Sequence, residues 1–84
     1  MALLALLASP LAHAAPQTIT LKVAGWHSKG DGYKTEAAVR GVKGVTGATA
    51  DTKALTIVVT FEDTQATRQQ VEQAVTSAGY SVTK

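Results

Sequence analysis

The stretch Leu55–Phe61, LTIVVTF, places Leu55, Ile57, Val59 and Phe61 on one face and Thr56, Val58 and Thr60 on the other. Strict alternation among β-branched and aromatic residues predicts a strand with one face buried. Just upstream, Thr52-Lys53 makes a turn. Before it, Val45–Asp51 reads as a weaker strand with Val45, Ala48 and Ala50 as its apolar members. Downstream, Glu62–Ala66 is a polar link, and Thr67-Arg68-Gln69-Gln70 fits a capping box. Val71, Ala74, Val75 and Ala78 then fall at i, i+3, i+4 and i+7, the stripe of a helix that buries one side. Gly79 supplies its C-terminal stop, and 80–83 is a short closing strand.

The N-terminal half repeats this order. Gln17–Val23, QTITLKV, alternates with Ile19, Leu21 and Val23 on one face. Ala24–Gly32, AGWHSKGDG, holds three glycines among polar residues and reads as a loop. Thr35, Ala38, Val39 and Val42 form a second helical stripe, with Asp31 as its expected N-cap and Gly41 and Gly44 at its end. The order strand, helix, strand, strand, helix, strand predicts an α+β, ferredoxin-like βαββαβ sandwich. In it, a four-stranded antiparallel sheet carries two helices on one face. The threonine-rich strand face, with Thr18, Thr20, Thr56 and Thr60, is left for solvent.

Composition narrows the function. The chain has 84 residues, enough for one domain. It has no cysteine, which removes disulfides, thiol catalysis and Cys-based metal centres. A net charge of +2 and aromatics limited to Trp26, Tyr33, Phe61 and Tyr80 argue against a nucleic-acid binder. At the N-terminus, MALLALLASPL is apolar but far shorter than the roughly 20 residues a membrane span takes. Ala12-His13-Ala14 after it is a small-x-small cleavage site, so 1–14 is expected to be a signal peptide and 15–84 the domain. No Lys or Arg precedes the apolar run, so either the α-amino group alone serves as the positive end or, the favoured reading, the start lies inside a longer leader. Export, to the periplasm, is the expectation, with no membrane span after cleavage. The mature chain then keeps one histidine, His27, and no methionine.

Between Ile19 and Tyr80 the chain resembles the heavy-metal-associated domain of copper chaperones, metal-pumping ATPases and periplasmic mercury-binding proteins. Ile19-Thr20-Leu21-Lys22-Val23 with Gly25, Val42-Lys43-Gly44-Val45, Asp51, Ile57–Glu62 and Ala78-Gly79-Tyr80 carry the likeness. The resemblance implies metal-ion binding or transfer through a loop reading Gly-Met-x-Cys-x-x-Cys. Here that loop is Gly25-Trp26-His27-Ser28-Lys29-Gly30-Asp31, with Trp26 at the methionine position and Ser28 and Asp31 at the cysteine positions. A protonated serine hydroxyl and a hard carboxylate are poor ligands for Cu(I) or Hg(II), which two soft thiolates would hold.

A metal site remaining in this chain would therefore centre on His27 and Asp31, with Ser28 secondary. It would take a divalent or copper ion, weakly if at all, because two side chains seldom make a closed site. Each residue also has a plainer reading: His27 as an exposed loop histidine, Asp31 as a helix cap, Ser28 as a turn residue. Trp26 is either an exposed anchor for a partner or fills the space of the family's methionine, and Tyr80 supports the loop by packing. The competing function is a protein-interaction module docking through the Trp26–Tyr33 loop. Enzymatic function is not expected. Acylphosphatases share the topology but use an Arg and an Asn, and this chain has no Asn; Ser28, His27 and Asp31 share one loop with no orienting group.

Overall fold

In β1 (Pro16–Ala24), Leu21 and Val23 are buried while Thr18, Thr20 and Lys22, at the alternate positions, face solvent, as the alternation requires. The computed structural model describes residues 16–83; the expected signal peptide, 1–14, lies outside the described residues. After β1 come α1 (Lys29–Arg40), β2 (Val45–Asp51), β3 (Thr56–Glu62), α2 (Arg68–Ser77) and β4 (Ser81–Thr83). The sheet order is β2-β3-β1-β4, with every neighbour antiparallel. The central pair, β1 and β3, runs in register from Pro16 opposite Glu62 to Lys22 opposite Thr56.

One face of this sheet makes the core. Leu21, Val23, Ala48, Ile57, Val59 and Phe61 from the strands meet Val39 of α1 and Val71 and Val75 of α2. Both helices therefore cover the same face, and the α+β ferredoxin-like architecture is the one the alternation and stripes predict. Burying each of the larger apolar side chains contributes about 1.5–3 kcal/mol, which suits a domain without disulfides. The opposite face is hydroxyl-rich, and Thr18 and Thr60 hydrogen-bond across β1 and β3 at 3.1 Å.

Two local details differ from the alternation read in the sequence. Leu55 has the parity of a core residue but lies in the turn before β3, with φ +58° and 42% of its surface exposed. Its carbonyl accepts the Val23 N–H at 2.8 Å, so turn geometry and pairing with β1 outweigh burial of its side chain. The helix start also differs. α1 begins at Lys29, with Ser28 as N-cap, and Asp31 is its third residue rather than its cap. The far end of α1 behaves as expected: Gly44 adopts φ +100°, and a Cβ there would meet the Cβ of Gln65 at 2.8 Å. Only glycine satisfies both conditions.

Candidate functional site

The loop between β1 and α1 opens at Gly25, whose φ of +107° turns the chain out of the sheet. The Tyr80 ring lies against it, 3.3 Å from where a Cβ would stand. Trp26 follows and turns inward, 8% exposed, joining the core cluster. Its indole Nε1–H donates to Thr35 Oγ1 at 2.8 Å, and the Thr35 hydroxyl in turn donates to the Asp31 carbonyl at 2.9 Å. Thr35 is fully buried, so its hydroxyl needs both partners. Of the two readings of Trp26, the inward one holds. The indole fills the space beneath the loop, and its polar edge is satisfied by helix α1.

His27, Ser28 and Asp31 sit within one turn of each other, but not as three ligands aimed at a point. His27 is exposed, and it is its backbone N–H that donates to Asp31 Oδ2, at 2.7 Å. Ser28 is extended (φ −156°, ψ 169°), and its side chain makes no capping bond. Asp31 is half-buried, and its second oxygen, Oδ1, accepts the Tyr80 O–H at 2.8 Å. The carboxylate is thus tied on both oxygens, one to the loop and one to the approach to β4. That is why Asp31 does not cap the helix: its oxygens are spent upstream and across the fold. Its charge still lies in the first turn of α1, where the helix dipole favours it.

The two ionisable partners perturb each other as this geometry demands. The His27 N–H bond, followed by the Tyr80 hydroxyl, holds the Asp31 carboxyl below its ordinary value of 3.8. The bond to Asp31, followed by burial, raises the Tyr80 phenol above its ordinary 10.0. Among the described residues, no group of three His, Cys, Asp or Glu side chains is placed to hold a metal ion. Nor does any buried side-chain nitrogen or oxygen there lack a partner. Thr35 and the Tyr80 hydroxyl are the site residues that sequence reasoning missed. Thr35 reads as a member of an apolar stripe, and a hydroxyl in that stripe was its one visible signal.

Comparisons with known proteins bear on the fold and the sequence. No protein-family model matches the chain. The mercuric transport protein periplasmic component of Shewanella putrefaciens is 38% identical over 70 residues, covering 83% of this chain and 77% of its own. Among solved structures, oxidised MerP of Ralstonia metallidurans CH34 is 30% identical with a TM-score of 0.78, over 82% of this chain and 96% of that one. The CopZ metallochaperone, at 24% identity and a TM-score of 0.77 over 80% of this chain and 100% of its own, shares the fold. The fold, the Gly25 loop with an aromatic ring against it, and the sequence relationship lead to one conclusion: this chain belongs to the heavy-metal-associated domain family, with Ser28 and Asp31 where the family's loop carries cysteines.

Proposed function

We propose that this chain is an exported, non-enzymatic heavy-metal-associated domain whose loop holds soft ions weakly or not at all. The observation that supports it most is the Asp31 carboxylate. At the position of the family's second thiol stands a hard ligand with both oxygens already engaged at 2.7 and 2.8 Å. A Cu(I) or Hg(II) ion offered this loop meets no soft donor. Each carboxylate oxygen keeps a second lone pair, and the His27 imidazole is open to solvent. A borderline ion such as Cu(II) or Zn(II) therefore finds at most a two-residue, water-completed site at His27 and Asp31, with Ser28 beside it. Export to the periplasm rests on the leader-like 1–14 segment and on the relative whose name places it there.

The test is a calorimetric titration with Cu(I), Hg(II), Cu(II) and Zn(II) of the wild type, His27→Ala and Ser28→Cys/Asp31→Cys. The expected result is no saturable Cu(I) or Hg(II) uptake by the wild type. Any weak Cu(II) or Zn(II) signal disappears in His27→Ala, and one-to-one soft-ion uptake appears in the double-cysteine variant. Tight one-to-one Cu(I) or Hg(II) binding by the wild type overturns the reading.

A second reading, docking on a protein partner, draws support from Tyr33, which is 66% exposed. It lines an open cleft of about 380 Å³ together with Lys29 and Lys53. Because Trp26 is buried, partner capture in this reading is lost on Tyr33→Ala, and a Trp26→Ala effect reports folding instead.

A further inference from the structure

The sheet presents two edges. The β4 edge is three residues long, whereas β2 runs for seven, VTGATAD. An open strand edge is a template for another strand, and proteins blunt it with proline, lysine, bulges or a cover. Beyond the irregularity between Val45 and Gly47, β2 has little of this: no proline, no lysine, and no charge before Asp51, its last residue. Its protection comes from α1. Arg40 Nη2 donates to the Ala48 carbonyl at 2.7 Å, and Glu36 Oε2 accepts the Ala50 N–H at 2.7 Å. The two side chains lie one helical turn apart and pair with each other at 3.8 Å. Glu36 is held deep, its side chain 13% exposed, while that of Arg40 is 57% exposed.

The chosen backbone groups are telling. Ala48 C=O and Ala50 N–H point away from β3 and flank Thr49. They are an acceptor and a donor that an added strand would use. Arg40 supplies a donor and Glu36 an acceptor, so together they imitate the peptide groups of a neighbouring strand. We propose that the Glu36–Arg40 pair is an edge guard. By occupying the outer edge of β2 it keeps the chain monomeric, and without it that edge pairs with β2 of a second copy. The self-complementary partner follows from the strand. Antiparallel β2–β2 pairing gives a closed two-fold contact. Thr46–Ala50 carries no charge, and pairing centred on Ala48 or Thr49 sets Asp51 opposite Val45 or Gly47, respectively, rather than a second Asp51.

Two readouts test this: hydrogen exchange of the Ala50 amide by NMR, and mass by size exclusion with light scattering over a concentration series. The wild type is expected to be monomeric with a protected Ala50 N–H. Glu36→Ala/Arg40→Ala is expected to lose about tenfold or more of that protection at dilutions where it is monomeric, and to dimerise with rising concentration. Glu36→Arg/Arg40→Glu keeps an i, i+4 ion pair on α1 but sets donor against donor and acceptor against acceptor, so it is expected to dimerise as well. Glu36→Gln keeps an acceptor for Ala50 and is expected to behave as the wild type. If the double-alanine variant does not fold, Arg40→Ala, at the exposed member of the pair, uncovers Ala48 alone and is expected to shift the monomer–dimer balance in the same direction. A dimeric wild type, a charge-swapped variant that stays monomeric and protected, or folded edge variants that stay monomeric at every concentration would each overturn the proposal.

Discussion

The two helices start with the same spacing and finish the job differently. Ser28 and Asp31 stand at the head of α1 as Thr67 and Gln70 stand at the head of α2. At α2 the box closes on itself: Thr67 Oγ1 accepts the Gln70 N–H at 3.2 Å, and Gln70 Oε1 accepts the Thr67 N–H at 3.0 Å. At α1 the serine side chain caps nothing. Asp31 instead reaches one residue further back, to His27, and across 49 positions to Tyr80. One helix start is local; the other belongs to the tertiary structure. The i, i+3 spacing that sets two thiols side by side at a helix N-terminus is also the spacing of a capping box. In this chain that spacing carries a hydroxyl and a carboxylate, and it is the carboxylate that ties the helix start to His27 and Tyr80.

This contrast can be broken most severely at Trp26, which joins the core and is hydrogen-bonded through Thr35 to the first turn of α1. Trp26→Ala is expected to cost about 3–5 kcal/mol, read as a fall in Tm of about 4–8 °C per kcal/mol for a domain of this size. Next is Asp31→Ala, which strips acceptors from both His27 N–H and Tyr80 O–H. Its Tm loss should exceed that of Thr67→Ala, and it should be non-additive with Tyr80→Phe in a double-mutant cycle. Additive effects would mean that the link to Tyr80 contributes nothing. Thr67→Ala is expected to cost about 1 kcal/mol and to be indifferent to Tyr80→Phe, because its box is self-contained.

The smallest effect is in the pH dependence. The folded Asp31 carboxyl lies below 3.8, so its contribution is complete above that value and is lost as pH falls through the folded pKa. The Tm difference between wild type and Asp31→Asn should hold steady through neutral pH and close only below 3.8. Tyr80 gives the opposite limb: its raised pKa means its share is present below 10.0 and fades as pH climbs through the folded value. Melts of the Thr67→Ala variant should carry neither limb relative to wild type. If they do, the two helix starts are not independent.

Legibility in the sequence follows the same divide between local and distant. Alternation in β1 and, from Thr56 onward, in β3, the Thr67–Gln70 box and the Val71, Ala74 and Val75 stripe of α2 are local patterns, and each appears in the structure where the residues put it. The α1 start is less legible, because one of the two groups that hold Asp31, the Tyr80 hydroxyl, lies near the other end of the chain. Trp26 stayed ambiguous for a related reason: its indole partner, Thr35, looks like a filler of the apolar stripe until the loop is folded over it. Nothing in the i, i+4 spacing of Glu36 and Arg40 shows that β2 will run alongside with two free peptide groups. The family relationship was visible through glycines and strand residues, which fix backbone shape. The chemistry of the loop was not, because it depends on which oxygens are already taken.

Trp26 is the chain's single tryptophan, buried and hydrogen-bonded through Thr35 to the first turn of α1. The protein therefore carries its own optical probe at the loop that matters. An indole in an apolar pocket emits at shorter wavelength than one in water, and no second tryptophan blurs the signal. Any ion, partner or substitution that pries the loop from the helix will be seen as a red shift, and one that leaves the loop seated will leave the emission wavelength unchanged.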